Sequence, residues 1–272
     1  MLLTRPPQPI LRPFVKTLWA TDQSSDPRST FAERERVLPT GAMHVVIRLS
    51  NHPVRLFDDV DGSTKREIGY AIVGGARSSY YIRETAEPAS SVGAQLLPGA
   101  SALLFGVHAD SLAGRHTPLA DLWGNFAVEM RERLLESSSA ETQLNIFESL
   151  LAARLPRVHG LHPAVAHALE QFTTTADVRE VVRQTGFSHR RFIELFQRAV
   201  GLTPKLYCRV LRFQHGLTLT AGKQSSSRVD LAIAAGYSDQ PHFNREFREF
   251  AGVTPSEYDA ISPSSPNHVP IY

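Results

Sequence analysis

The chain has 272 residues, enough for two domains, and its 29 Lys+Arg against 27 Asp+Glu leave a formal net charge of +2. That balance excludes binding to a polyanion through bulk charge alone. The single cysteine, Cys208, excludes an intramolecular disulfide and a multi-cysteine metal site. No run approaches about 18 apolar residues, and the opening M-L-L-T-R-P-P-Q-P-I lacks a signal-type apolar core, so a soluble cytoplasmic protein without a membrane span is expected.

Residues 1 to about 115 alternate short apolar stretches with turn chemistry. The stretches are Val45–Ile47, Val54–Phe57, Ala71–Val73, Tyr80–Ile82, Ala94–Leu97 and Ala102–Val107. Pro39-Thr40-Gly41, Asp58–Gly62, Gly74-Gly75 and Pro98-Gly99 separate them. Short strands with regular turns predict a β-barrel or sandwich, and a barrel interior can hold a small ligand. Trp19, His44, Tyr70, Arg77 and His108 are the polar or aromatic candidates for such a pocket. His44, His52, His108 and His116 are too scattered for a metal site, and no nucleophile elbow, dinucleotide fingerprint or phosphate loop is present. No catalytic residue, metal or cofactor is therefore expected, and the chain is read as a non-enzyme.

From Leu119 the apolar spacing becomes helical: Leu119, Leu122, Trp123, Phe126, Met130 and Leu134. After Ser137-Ser138-Ser139 a second helix carries Leu144, Phe147, Leu150, Leu151 and Leu155. This pair either packs on the barrel or offers one face to a dimer. Pro156 to Pro163 reads as a linker, which divides the chain into residues 1–156, 157–261 and a disordered tail over 262–272.

The C-terminal third says nearly the same thing twice, at a spacing of about 50 residues. Residues 186–207 run G-F-S-H-R-R-F-I-E-L-F-Q-R-A-V-G-L-T-P-K-L-Y, and residues 236–258 run G-Y-S-D-Q-P-H-F-N-R-E-F-R-E-F-A-G-V-T-P-S-E-Y. Each unit reads as a helix, a tight Gly turn and a second helix with an N-cap serine, Ser188 or Ser238. Phe192, Leu195 and Phe196 mark one buried stripe, and Phe243, Phe247 and Phe250 the other. The extra residue of the second copy is assigned to the interior of its helix, and Asp239 to a first-turn charge. Leu206 to Leu219 reads as a connecting helix. Two such helix-turn-helix units on one side of a duplex should sit one helical turn apart, roughly 34 Å. From residue 160 onward there are 12 Lys+Arg and 10 Asp+Glu, which predicts modest non-specific affinity and a moderate salt dependence.

These residues resemble the AraC/XylS family of bacterial transcription regulators, over about Asp177 to Tyr258. The second unit carries the stronger half of the resemblance. Carried over by position, the resemblance implies groove-facing side chains at Arg190, Arg191, Ile193 and Glu194, and at Gln240, Pro241, His242, Asn244 and Arg245. Arg suits guanine, Asn and Gln suit adenine, and a carboxylate such as Glu194 can accept from cytosine N4. Ser188, Ser238 and Arg212 are the candidates for phosphate contact or positioning. The N-terminal half resembles a cupin-like variant, on L-P-T-G-A-M-H-V-V-I-R-L and Q-L-L-P-G-A-S-A-L-L-F-G. The fold class expected is multi-domain α+β, a β-barrel with a helical pair followed by an all-α double helix-turn-helix.

The function expected is sequence-specific regulation of transcription, modulated by a small effector or by dimerisation. The partners expected are double-stranded promoter DNA, a second copy of the chain and, from the resemblance, RNA polymerase. A constitutive dimeric activator and an enzyme fused to a DNA-binding module are the alternatives.

Overall fold

The computed structural model describes residues 2–21, 32–85, 89–155, 160–222 and 227–272. The first half of the expected linker, residues 156–159, therefore lies outside the described residues. Strands fill the first part: β1 (Leu2–Arg5), β2 (Val15–Thr21), β3 (Arg34–Val37), β4 (His44–Arg48), β5 (Val54–Phe57), β6 (Lys65–Gly69), β7 (Ala71–Gly74), β8 (Tyr81–Glu84), β9 (Ser91–Leu96) and β10 (His116–Pro118). Helices follow: α1 (Ala100–Phe105), α2 (Ala120–Trp123), α3 (Asn125–Leu135), α4 (Ala140–Ala153), α5 (Pro163–Gln171), α6 (Val178–Thr185), α7 (His189–Val200), α8 (Pro204–Ala221), α9 (Arg228–Ala234), α10 (Gln240–Ala251) and α11 (Pro255–Ile261). The last element is a strand, β11 (His268–Ile271).

The strands make two antiparallel sheets, ordered β1-β2-β9-β4-β7-β10 and β11-β3-β8-β5-β6. Strand alternation decides what each face carries. In β4, Val45 and Ile47 join the main core, while His44, Val46 and Arg48 point the other way. The main core lies outside the first sheet, under α3 and α4, with Ala127, Met130, Leu134, Leu144, Phe147 and Leu151 buried in it. Both helices of the expected pair thus pack on the sheet. Glu148, on the buried face of α4, accepts from Arg5 Nη2 at 2.8 Å, which ties the helix to β1.

Two expectations fail here. Ala102–Val107, read as a strand, belongs largely to α1. The Gly99 turn precedes it, and Ala100, Ser101, Leu104 and Phe105 then bury one helical face. The tail expected to be disordered instead folds back as β11 and pairs antiparallel with β3, from His268↔Val37 to Ile271↔Arg34. Val269 is fully buried there. A short polar-flanked V-P-I segment has no local drive to form a strand. An open sheet edge supplies its hydrogen-bond partners.

Candidate functional site

The two C-terminal units share one construction. Asp177 caps α6 and Ser188 caps α7. Gly186 and Gly236, at φ 74° and 82°, make the left-handed turns that a side chain would strain. In α7, Phe192, Phe196 and Val200 are buried, while Leu195 is only half-buried. Phe196 meets Phe172, just past α5, and Tyr207 of α8 at ring distances of 5.6 and 5.7 Å. In α10, Phe243, Phe247 and Phe250 are buried, and Phe213 of α8 lies 5.4 and 5.2 Å from the last two.

The structure moves the extra residue of the second copy. Both α7 and α10 have 12 residues, so the insertion lies in the turn before α10. The N-cap there is Asp239, whose Oδ1 accepts from His242 N at 2.7 Å. Ser238, expected to cap, instead bonds Asp239 Oδ2 at 3.2 Å. Asp239 is therefore the cap and not a first-turn charge. Backbone donation to its carboxylate holds it below its usual pKa. Equal helices put Arg190 level with Pro241, Arg191 with His242, Ile193 with Asn244 and Glu194 with Arg245.

Arg190, Arg191, Glu194, Pro241 and Arg245 are exposed, and Ile193, Gln240, His242 and Asn244 are half-buried. The structure thus groups the expected groove-facing positions on the open sides of α7 and α10. Glu194 stands between two arginines of its own helix, 3.2 Å from Arg190 Nε and 3.6 Å from Arg191 Nη1. Arg212 is different. Its guanidinium reaches both oxygens of Glu246 at 2.8 and 2.9 Å and lies 4.5 Å over the Tyr237 ring. Arg209 Nε adds a second guanidinium to Glu246 at 2.8 Å. Arg212 is thus engaged within the unit, locking α10 to α8, and is not presented to phosphate. Burial works against the Glu246 charge, but the two guanidiniums more than offset it and keep the carboxyl below its usual range.

The other ends of both recognition helices rest on the N-terminal part. A Cβ at Gly201, just past α7, would lie 3.2 Å from Ala109 O and from Ala76 Cβ. One at Gly252, just past α10, would lie 2.5 Å from Tyr80 Cε1. Nearby, Arg198 Nη2 meets His108 Nε2 at 2.6 Å. Gln214 of α8 donates to Pro39 O and to Asn267 Oδ1, both at 2.8 Å. Asn267 in turn accepts from Leu38 N at 2.9 Å, and Tyr258 donates to Pro266 O at 3.0 Å. The tail strand, α8 and the first loops are thus one hydrogen-bonded junction.

The five pocket candidates separate. Trp19 and His44 share the inner face of the first sheet, with ring centroids 6.2 Å apart. Arg77 donates to His116 Nδ1 at 3.2 Å and lies 4.4 Å over the Tyr81 ring. Tyr70 lies elsewhere: its ring stacks under Arg131 at 4.3 Å, and its hydroxyl donates to Asn51 O. His108 sits at the domain junction with Arg198, so neither it nor Tyr70 belongs to the interior. Arg48, Tyr81, Arg83, His116, Glu35 and His268 were missed. The alternation of His44, Val46 and Arg48 was a usable signal for one of them, but nothing local links His268 to Glu35.

Burial drives the His44 pKa down to about 4, helped by the nearby His268 and Arg77, and drives His116 to about 3. Both rings are neutral at pH 7. A cleft of about 450 Å³ opens beside His116, lined also by Arg77, Tyr81, Leu56, Ile68 and Arg66 among others. No group of three or more His, Cys, Asp or Glu among the described residues could hold a metal ion. Cys208 is buried, and burial raises its thiol to about 11, so it is unreactive near neutral pH. No helix among the described residues is long and apolar enough to cross a membrane.

A family model described as a helix-turn-helix domain matches residues 181–260. Another, described as a domain of unknown function, matches residues 3–118. The virulence regulon transcriptional activator VirF of Yersinia enterocolitica is 36% identical over 77 residues, 28% of this chain and 27% of its own length. The melibiose operon regulatory protein of Escherichia coli K12 is 29% identical over 98 residues, 36% of this chain and 31% of its own. The solved structure of a probable AraC family transcriptional regulator from Rhodopseudomonas palustris is 27% identical, covering 35% of this chain and 94% of that one, with a TM-score of 0.32. Residues 181–260 are thus similar to helix-turn-helix domains, and the matched relatives are named as regulators of transcription. The chain spans about a third or less of the length of the curated relatives it matches, all of that similarity being confined to a stretch of 77 to 108 residues.

Proposed function

We propose that the chain is a sequence-specific, DNA-binding regulator of transcription. The observation that carries this reading is the pair of equal, capped helices whose open sides hold Arg190, Arg191 and Glu194, and Gln240, His242, Asn244 and Arg245. In this reading Arg245 and Asn244 take base edges, with Gln240 and His242 beside them. Arg190 and Arg191 read or position from the first unit, and Glu194 anchors that pair as their shared ion-pair partner. Ser188 and the first amides of α7 approach phosphate. The names of the two curated relatives, an operon regulator and a transcriptional activator, support the same reading.

The N-terminal part acts in this proposal as the sensor, responding to a small effector or to pairing with a second copy, in the cytoplasm and beside RNA polymerase. Two features support coupling. Both recognition helices end on that part at Gly201 and Gly252, and the tail strand β11 belongs to its second sheet. A shift in the sensor therefore shifts the helices that read DNA, and a ligand favouring one arrangement changes the population competent to bind. The constitutive alternative predicts a tightly filled apolar interior. The polar inner face described above favours the sensor.

The test is selection of sites from random duplex DNA by the full chain at physiological salt. Enrichment of two sequence blocks about one helical turn, roughly 34 Å, apart is expected. Enrichment of one block would reduce the first unit to positioning, and no enrichment would overturn the reading.

A further inference from the structure

A two-sheet domain ordinarily keeps its apolar core between its sheets. This one inverts that arrangement. The main core lies outside the first sheet, and only a small cluster of Val54, Leu56 and Ile72 lies between the two. The rest of the facing surfaces is polar. Register aligns Thr17, Gln95, His44, Gly74 and His116 in one row across the first sheet. From the second sheet, Tyr81, Arg83 and Glu35 face them, since Leu56 and Glu35 are both opposite Arg83.

Positive charge outnumbers negative charge in this interior, although Arg48 lies within electrostatic reach of Glu35 and Glu84. Among the described residues it holds three guanidiniums, Arg48, Arg77 and Arg83, and one carboxylate, Glu35. Glu35 is already taken, by Arg83 and by His268 Nδ1 at 2.7 Å. Arg48 is only 8% exposed, and its Nε has no acceptor. Arg77 is 9% exposed, and its hydrogen bond goes to a neutral imidazole. A buried cation without a counter-charge is costly, and removing water from it makes it a strong anion receptor. The cleft beside Arg77, Tyr81 and His116 gives a small molecule a way in. Asp58 and Asp59 also line that cleft, but Asp58 is paired with Arg66 at 2.6 Å and Asp59 accepts from Ser63 at 2.7 and 2.8 Å.

We propose that the space between the two sheets is a binding site for an anionic small molecule, one bearing carboxylate or another oxyanion, held by Arg77 and Arg48. The aromatic faces of Tyr81 and Trp19 and the apolar Leu56 and Ile72 border the uncharged part of the ligand. This inference rests on the sensor reading for its purpose, but not for its geometry.

The experiment uses the full chain, with sodium succinate and sodium sulfate as probes against sodium chloride at equal ionic strength. Thermal unfolding should show a Tm that rises with the logarithm of probe concentration, beyond the chloride control. Succinate above sulfate marks a carboxylate ligand, and the reverse marks an inorganic or ester oxyanion. By calorimetry, Arg48→Met and Arg77→Met should each weaken binding by about tenfold or more, with Arg48→Lys between. Without probe, Arg48→Met should unfold at the same or a higher temperature than the parent, because an unpaired buried charge is gone. The proposal is overturned if neither anion exceeds chloride, if both Met variants bind like the parent, or if probe-free Arg48→Met is less stable. Operator affinity measured alongside separates the two readings. Anion binding without a change in operator affinity keeps the site and removes the sensor. An operator response to some other effector with no anion binding does the reverse.

Discussion

Glu246→Ala tests how the second unit holds its recognition helix. The Glu246 carboxylate is 4% exposed and is the common acceptor for Arg209 and Arg212, which join α8 to α10. Removing one member of a buried ion pair costs about 3–5 kcal/mol, because the partner charge is left without compensation. Here both arginine side chains are about a quarter exposed, at 29% and 24%, so water recovers part of their solvation. Arg209 also keeps Glu249 at 2.6 Å. The expected loss is therefore reduced to about 2–3 kcal/mol. For a chain of this size that lowers Tm by roughly 4–10 °C. Glu249→Ala is the control: its side chain is 55% exposed, and it should cost less than about 0.5 kcal/mol. The assay is thermal and urea unfolding of the full chain, with operator affinity measured in parallel, since a loosened α10 should also bind more weakly. A Glu246→Ala protein as stable as Glu249→Ala would refute the argument that this carboxylate locks the helix.

Three further outcomes follow from the same geometry. Arg245→Ala should cost about 1–3 kcal/mol at a selected operator and little on random duplex, and equal losses on both would make Arg245 a phosphate contact. His44 and His116 are held neutral to about pH 4 and 3, whereas in the unfolded chain they take up protons near 6.5. The unfolded state therefore binds more protons, and stability falls as pH drops below about 6.5. At pH 5.5 each ring should cost about 1.4 kcal/mol, about 3 in all, and the double change to Gln should flatten urea midpoints measured between pH 7.5 and 5.5. Glu35, whose carboxyl burial raises but Arg83 and His268 bring down to about 2, adds acid sensitivity only below about pH 4.5. Deleting residues 263–272 should cost about 2–4 kcal/mol through the lost Val269 burial and β3 ladder, and it should speed amide exchange across Arg34–Val37. Unchanged exchange there would mean that the strand contributes nothing in solution.

Local signals made the C-terminal units legible. Gly186 and Gly236 end helices where the pattern placed them, and the Phe stripes at helical spacing are the buried ones. Helix α11 begins at the reciprocal capping box of Thr254 and Glu257, a signal confined to four adjacent residues. The insertion was misplaced because both Ser238 and Asp239 can cap. Only the packing of Phe243 and Phe247 against α8 fixes the phase of the helix and makes Asp239 the cap. In the N-terminal part, turn residues marked several strands, but β1, β3 and β6 are short, and β3 and β6 are mostly polar and carry no clear alternation.

Sequence alone therefore determined what depends on neighbours a few residues apart: capped helices, glycine turns, the doubled unit and the residue types on its open faces. Tertiary structure decided what depends on chain segments far apart. It made Glu246 the lock for Arg209 and Arg212, and it withdrew Arg212 from phosphate. It carried His268 to Glu35 across more than 230 positions of chain. It also gathered Arg48, Arg77 and Arg83 around one interior. Periodicity states which side of a strand a residue takes, but a sheet has two sides, and only the packing of the helices outside decides which of them is the core.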